Sequence, residues 1–306
     1  MHRASRIGGR CKVMKKICFA FCILHFAFCI YFCGHAHAYI KGELLTVIYS
    51  EKETSGSFNQ PQSIYIDQSK GKIYVIDTLN NRLISYDRSY RFISQFNAEG
   101  KLDLPISMVK DKKGRLILTN KGEESVLVIH LKEKIIKPLD FSNVFPRPVP
   151  SYLAMDENGR LYVIDEAYKR ILIFSDDYKF LGEIKEPQTA GFTDVKWFEN
   201  CVYALDTLLK KVFVYDNQGH LIRSLEFKSL SFPVSLAVDK RGYLYILDTH
   251  EGKVCLFKDH EIIGEIGKKG WKEGELYYPA YIFIDNKNIL YVVDRGNNRI
   301  EVFEIK

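Results

Sequence analysis

The segment Pro233-Val-Ser-Leu-Ala-Val-Asp239, followed by Lys-Arg-Gly242 and then Tyr243-Leu-Tyr245-Ile-Leu-Asp248, carries the pattern that decides the fold. Two apolar runs of strand length, rich in β-branched and aromatic residues, flank a glycine-containing turn. Further along, a five-residue step leads to Lys253-Val-Cys-Leu-Phe257, and a second turn leads to Glu261-Ile-Ile-Gly-Glu-Ile266. The unit therefore has four short strands, a to d. It recurs six times between residues 58 and 306. A proline opens strand a at Pro61, Pro105, Pro150, Pro233 and Pro279, where its missing N–H does least harm. An aspartate closes strand a at Asp67, Asp111, Asp156, Asp239 and Asp285. Another ends strand b at Asp77, Asp165, Asp206, Asp248 and Asp294, with Asn120 in the second copy, at intervals of 41 to 46 residues. A period near 40–45 with four strands per unit is the signature of a β-propeller.

The sixth copy stops after Arg299-Ile-Glu-Val-Phe303 with no fourth strand, and the chain supplies a donor at its other end. Leu44-Leu-Thr-Val-Ile-Tyr49 is an orphan strand, and Gly56-Ser-Phe58-Asn-Gln-Pro61 after it matches Gly274-Glu-Leu-Tyr277-Tyr-Pro279. The prediction is an all-β fold: a six-bladed β-propeller of four-stranded antiparallel blades, closed by strand 44–49 completing the last blade. Such closure removes exposed sheet edges.

Charge and cysteine divide the chain at residue 38. Residues 1–38 hold six basic and no acidic residues, which leaves 38 basic against 38 acidic in 39–306. A domain with no net charge lacks the basic footprint of a nucleic-acid binder. The first 38 residues read as a signal peptide: a basic start, the apolar run Ile17–Cys33, and Ala36-His37-Ala38 as the cleavage pattern, with Met14 a possible true start. Residues 39–306 are then an extracytoplasmic (periplasmic or secreted) domain. The alternative is an uncleaved leader that anchors the chain to a membrane, at the short limit for spanning. Five of seven cysteines lie in the leader, and Cys201 and Cys255 are expected as buried free thiols.

Particular stretches resemble the NHL-repeat family. Ile266-Gly-Lys-Lys-Gly270-Trp-Lys-Glu-Gly274-Glu-Leu-Tyr-Tyr-Pro279 is similar to its glycine-spaced linker before a new blade. Tyr291-Val-Val-Asp294-Arg-Gly-Asn297-Asn298-Arg299-Ile300 and Tyr74-Val-Ile-Asp77-Thr-Leu-Asn80-Asn81-Arg82-Leu83 are similar to its core. The resemblance covers roughly 43–306. It implies a propeller used as a binding scaffold, and it specifies the fold far better than the activity.

Antiparallel order puts the a–b and c–d turns at one end of the ring, and the b–c turns and d-to-a crossings at the other. The a–b turns are short, whereas crossings such as Phe141–Val149 and Gly267–Tyr278 are long and varied. The b–c and d–a end is therefore the predicted binding face. The strand-b Asp and the base five residues later (Arg82, Arg170, Lys211, Lys253, Arg299) read as a structural hairpin pair rather than a ring of ligand contacts. Blade symmetry breaks in strand a of the fourth copy. There Asp194 fills a column otherwise held by Ile64, Met108, Leu153, Leu236 and Ile282, and Lys196 shares its column with Lys110. Asp194 and Lys196 are either a paired structural feature or a channel-lining ligand site. Among the crossing aromatics, Phe58 and Tyr277 read as gap fillers, and Trp271 and Tyr278 as contact residues. The candidate ligand-binding set is Lys110, Asp194, Lys196, His250, Trp271 and Tyr278.

No catalytic residues, and no metal ligands or other cofactor, are assigned from the sequence. His220 and His260 fall in c–d turns, His130 ends an outer strand, and only His250 lies on the loop face, which makes no converging histidine site. Residues 39–306 carry no nucleophile elbow, P-loop or dinucleotide fingerprint. Besides a ligand-sensing module tethered by an uncleaved leader, two functions stay open. The first is a binding scaffold for a protein, peptide or glycan on the b–c/d–a face. The second is a metal-dependent lyase or lactonase-like hydrolase holding a divalent ion in the channel.

Overall fold

The computed structural model describes residues 39–50 and 55–306, so the expectations for the leader 1–38 lie outside the described residues. The described chain forms 24 strands in six four-stranded antiparallel sheets. After β1 (Gly42–Ile48), blade 1 is β2 (Pro61–Asp67), β3 (Lys72–Asp77), β4 (Arg82–Tyr86) and β5 (Phe92–Phe96). Blade 2 is β6 (Pro105–Lys110), β7 (Leu116–Asn120), β8 (Ser125–His130) and β9 (Ile135–Pro138). Blade 3 is β10 (Pro150–Met155), β11 (Leu161–Asp165), β12 (Arg170–Phe174) and β13 (Phe180–Lys185). Blade 4 is β14 (Asp194–Phe198), β15 (Cys201–Asp206), β16 (Lys211–Asp216) and β17 (Leu221–Glu226). Blade 5 is β18 (Pro233–Val238), β19 (Leu244–Asp248), β20 (Lys253–Lys258) and β21 (Glu261–Ile266). Blade 6 is β22 (Tyr281–Ile284), β23 (Ile289–Asp294), β24 (Arg299–Ile305) and β1.

The inner strands β2, β6, β10, β14, β18 and β22 touch in that order, and β22 returns to β2 to close a ring. Because side chains alternate across a strand, each blade presents an apolar face to both neighbours. Six hydrophobic clusters result, one in each seam between blades. Three residues before each of four strand-a prolines, Phe58, Leu102, Leu230 and Leu276 plug the seam and are buried. The residue equivalent to Phe58 is thus Leu276. Tyr277 lies one position further on, which corrects the expected match and leaves Tyr277 half-buried.

Five blades make their a–b turn around the aspartate that closes strand a. Asp156, for instance, accepts hydrogen bonds from the amides of Asn158 and Arg160, both at 2.8 Å. Blade 4 has Trp197 in that column and turns instead on two residues, Glu199 and Asn200, both with positive φ. That is the geometry of a tight hairpin matched to strand twist.

Closure follows the predicted route with shifted bounds: the strand is Gly42–Ile48 rather than 44–49, and Tyr49 lies beyond it. β1 pairs antiparallel with β24 from Gly42↔Ile305 to Ile48↔Ile300. Before the strand begins, Ile40 is already buried, donating its amide to Ile263 O at 2.7 Å. Gly264 permits this approach, since a Cβ there would lie 2.4 Å from Ile40 O. Cys201 and Cys255 are free thiols as expected, although Cys201 is only half-buried; burial pushes the Cys255 thiol up to about 12. If the closing strand holds the ring, Ile48→Ala should cost about 2–4 kcal/mol in denaturant unfolding, the usual penalty for emptying a buried aliphatic site. Leu45→Ala, at an exposed position of the same strand, should shift stability by less than about 0.5 kcal/mol.

Candidate functional site

The shape of the loop face depends on the strand-b carboxylates. Each blade's Asp or Asn is buried and reaches back to the crossing that enters the same blade. Asp77 Oδ1 accepts the amide of Asn59 at 2.7 Å, Asn120 Oδ1 that of Asp103 at 2.7 Å, and Asp165 Oδ1 that of Val149 at 3.0 Å. Asp206 takes the amide of Ala190, Asp248 those of Ser231 and Phe232, and Asp294 that of Tyr277. Where the facing base is arginine, an ion pair adds to this. Asp77–Arg82 and Asp165–Arg170 are 2.7 Å apart, and Asp294–Arg299 is 3.0 Å. The arginine then binds carbonyls of the crossing itself: Arg170 reaches Phe145 O and Pro146 O, and Arg299 reaches Trp271 O, Lys272 O and Glu275 O. Lysines replace arginine in blades 4 and 5 and do not pair with the aspartate; Lys253 bonds Glu265 instead.

A third polar residue completes the anchor. In blades 1, 3 and 5 it comes from strand d, as Gln95, Glu183 and Glu265. In blade 6, strand d is β1, which has Val47 there, and the acid moves across the strand pair to Glu301 on β24. Glu301 is fully buried, 2.8 Å from Arg299 Nε through Oε1, and its Oε2 accepts the Gly274 amide at 3.1 Å. Burial raises its carboxyl to about 7. Attraction to Arg299 does not offset this, because that guanidinium is shared with Asp294 and three carbonyls.

The crossings held this way, with the b–c turns, carry nine exposed large apolar residues at one end of the ring: Tyr49, Leu79, Leu104, Phe145, Tyr168, Leu208, Phe232, Trp271 and Tyr278. Phe145, Leu208 and Trp271 are 81%, 71% and 70% exposed. They are held as well as displayed. Trp271 packs on Tyr277 with ring centres 5.3 Å apart, Tyr278 meets Tyr277 edge-on at 4.8 Å, and His250 stacks on Phe232 at 4.8 Å.

The channel is filled by side chains. Tyr152 of blade 3 and Tyr281 of blade 6, from opposite sides of the ring, stack with centres 5.7 Å apart and planes within 8°. Gln62 donates to the Tyr152 hydroxyl at 2.7 Å, and Lys196 Nζ lies 4.1 Å from the centre of the Tyr281 ring. Asp194 is buried, with both oxygens 2.5 Å from Lys196 Nζ. Its Oδ2 also accepts Ser235 Oγ at 2.7 Å and the Leu236 amide at 2.9 Å, so the carboxylate ties blade 4 to blade 5. Burial lowers the Lys196 ammonium against the opposing pull of Asp194.

The six candidate residues thus fall into three groups. Asp194 and Lys196 are a bonded pair in the channel wall, with 16% of the Lys196 side chain exposed. Lys110 pairs with Asp67 at 2.5 Å between blades 1 and 2, near the a–b end. His250, Trp271 and Tyr278 are exposed at the opposite end. Sequence reasoning missed Tyr152, Tyr281, Gln62, Leu208 and Glu301. A signal for the tyrosines existed: three blades apart, they interrupt a strand-a column otherwise holding the small hydroxyl residues Ser63, Ser107, Thr193 and Ser235. Among the described residues, no group of three or more His, Cys, Asp or Glu side chains is placed to hold a metal ion.

Ring closure, four-stranded blades and seam packing define the class: a six-bladed β-propeller. No family model matches the chain. A mouse protein, NHL repeat-containing protein 3, is 28% identical over 173 residues, covering 48% of this chain and 49% of the mouse protein. The chain therefore spans about half the length of the curated relatives it matches. These relatives and the architecture are consistent with an NHL-repeat propeller. Among solved structures, a gluconolactonase from Xanthomonas campestris superposes with a TM-score of 0.67 at 13% identity, covering 85% of this chain and 89% of that one. A virginiamycin B lyase from Staphylococcus aureus, solved with quinupristin, gives 0.63 at 11%, covering 87% and 98%. At such identities the likeness is one of fold alone.

Glu301 sets a pH dependence whose sign follows from its raised value. Its stabilising contribution is complete below its ordinary value of 4.5 and is lost as pH rises through about 7. Glu301→Gln should therefore remove this part of the pH slope and be more stable than the parent at pH 8 by on the order of 1–3 kcal/mol. Denaturant titrations at about pH 5 and 8 measure the difference.

Proposed function

We propose that this domain is a recognition propeller that holds a polypeptide partner on its b–c/d–a face. The observation that carries the reading is that nine exposed large apolar side chains stand around that end of the ring. Among the described residues, the turns at the other end expose one such residue, Leu131, with Ile135, Leu221 and Ile262 exposed where strands d leave those turns. Exposed apolar surface of this extent marks interaction sites, and Trp and Tyr are favoured anchors at their centres. The mixture favours a polypeptide over a glycan: a sugar ring stacks on Trp271 or Tyr278, but Leu79, Leu104 and Leu208 offer it nothing comparable. Anchoring each crossing to a buried carboxylate, or in blade 2 to the Asn120 amide, reduces the ordering cost of binding.

The rival reading, a metal-dependent lyase or lactonase-like enzyme, draws on the structural likeness to such enzymes. The channel's own side chains supply the argument against it. A lysine ammonium occupies both oxygens of Asp194, where a divalent ion would need them, and the tyrosine pair blocks the axis. The proposed site of action is outside the cytoplasm, on the strength of the leader's signal-like sequence.

The test is recovery of bound polypeptides from the protein isolated in its native host, compared by quantitative mass spectrometry. A Trp271→Ser, Leu208→Ser double variant should lose, by at least roughly tenfold, polypeptides that a Leu131→Ser variant retains. Equal recovery by all three forms would overturn the reading, as would divalent-ion-dependent lactone hydrolysis that Asp194→Ala abolishes.

A further inference from the structure

The opposite, a–b end of the ring has a different chemistry. The aspartates that close strand a are largely spent on their own turns and neighbours: Asp67 pairs with Lys110, Asp111 with Arg115, and Asp239 with Arg241. Asp285 accepts the amides of Lys287 and Ile289. At the tips of the turns, Lys70, Lys112, Lys240 and Lys287 are exposed, with no acidic partner among the described residues. They stand on blades 1, 2, 5 and 6, which are contiguous around the ring. The exposed acids at equivalent tips, Glu157 and Glu199, stand on blades 3 and 4. Residues 39–306 have no net charge, so this arc is a local concentration and not a reflection of composition.

Three cavities open on the same arc. One of about 160 Å³ lies in the seam of blades 6 and 1, between Arg88 and Lys287, with Ile73 and Ile289 in its wall. One of about 200 Å³ lies where blades 4, 5 and 6 meet the channel mouth, between Lys196 and Lys240, with Phe283 and Ile284 in its wall. A third of about 220 Å³ lies in the seam of blades 1 and 2 among Lys70, Lys110 and Lys112. The first two combine an apolar wall with cationic groups, and all three are of side-chain size. That suits glutamate, whose methylenes pack while its carboxylate meets an ammonium.

We propose that the a–b end of blades 5, 6, 1 and 2 binds an acidic, extended polypeptide segment, with acidic side chains entering successive seams. This surface is separate from the apolar loop face, so the domain can hold two partners at once. A phosphate backbone suits it less well. Lysine lacks the bidentate fork that favours phosphate, whereas the aspartates beside the lysines, Asp67, Asp111, Asp239 and Asp285, are already engaged by Lys110, Arg115, Arg241 and turn amides.

The test uses the full chain and a fluorescein-labelled peptide of about 12 residues in which glutamate alternates with leucine, read by anisotropy. Saturable binding at about 50 mM salt should weaken at least roughly tenfold by about 300 mM, since exposed charges are screened over that range. The fourfold variant Lys70→Glu, Lys112→Glu, Lys240→Glu, Lys287→Glu should lose at least roughly tenfold in affinity, and the corresponding lysine-to-glutamine set an intermediate amount. Trp271→Ser, on the other face, should bind the peptide as the parent does. No saturable binding at low salt, undiminished binding by both fourfold variants, or tighter binding of a 12-nucleotide RNA or of phosphatidylserine vesicles than of the peptide would each overturn the proposal.

Discussion

The buried carboxylate or amide at the end of each second strand is the interaction on which the rest of the molecule depends. It sits where strand b ends and the loop face begins, and it bonds to the chain entering its own blade from the previous one. A propeller made only of apolar seams would leave six crossings unattached, with their amides unsatisfied near the protein interior. A buried Asp or Asn in each blade meets that need. The cost of burying the charge is offset by amide donors and, in blades 1, 3 and 6, by an arginine that also binds the crossing. Ring architecture and loop-face shape therefore share one cause.

Most of this was legible in the sequence because repetition aligned it. Proline, aspartate and the strand-b acid recur at fixed offsets, and the sixth copy's missing strand identified the first strand as its donor. Contacts between non-adjacent repeats were much harder to read. Tyr152 and Tyr281 meet only because six blades bring opposite inner strands within ring-stacking distance of the axis. No comparison of neighbouring copies registers that proximity. The fourth blade looked irregular for a real reason: Trp197 stands where the turn-closing aspartate would be, and the turn shortens to two residues. Its charged pair is a tie between blades, which a sequence cannot distinguish from an open site because both need the same two residues.

The anchors also explain how the blades differ without losing the ring. Arginine, unlike lysine, reaches the aspartate and several carbonyls at once, owing to its planar fork. Blades with arginine accordingly support the more elaborate crossings, including the one that displays Trp271. In blade 6 the supporting acid is on β24 instead of on strand d, so the closing strand is relieved of any part in the anchor.

That relief bears on how the chain acquires its structure during synthesis. Of the described strands, β1 is made first and its partner β24 last, and the register joins Ile48 to Ile300. While β2 to β23 are being made, the strand lacks the partner it pairs with. Closing so long a loop costs only logarithmically more entropy than closing a shorter one, but the pairing is slow to find and the waiting edge is exposed. A strand whose face toward the anchor is Val47 carries no buried charge that must be matched on arrival. Completion of the ring then needs only apolar packing and backbone hydrogen bonds, the two interactions most tolerant of arriving late.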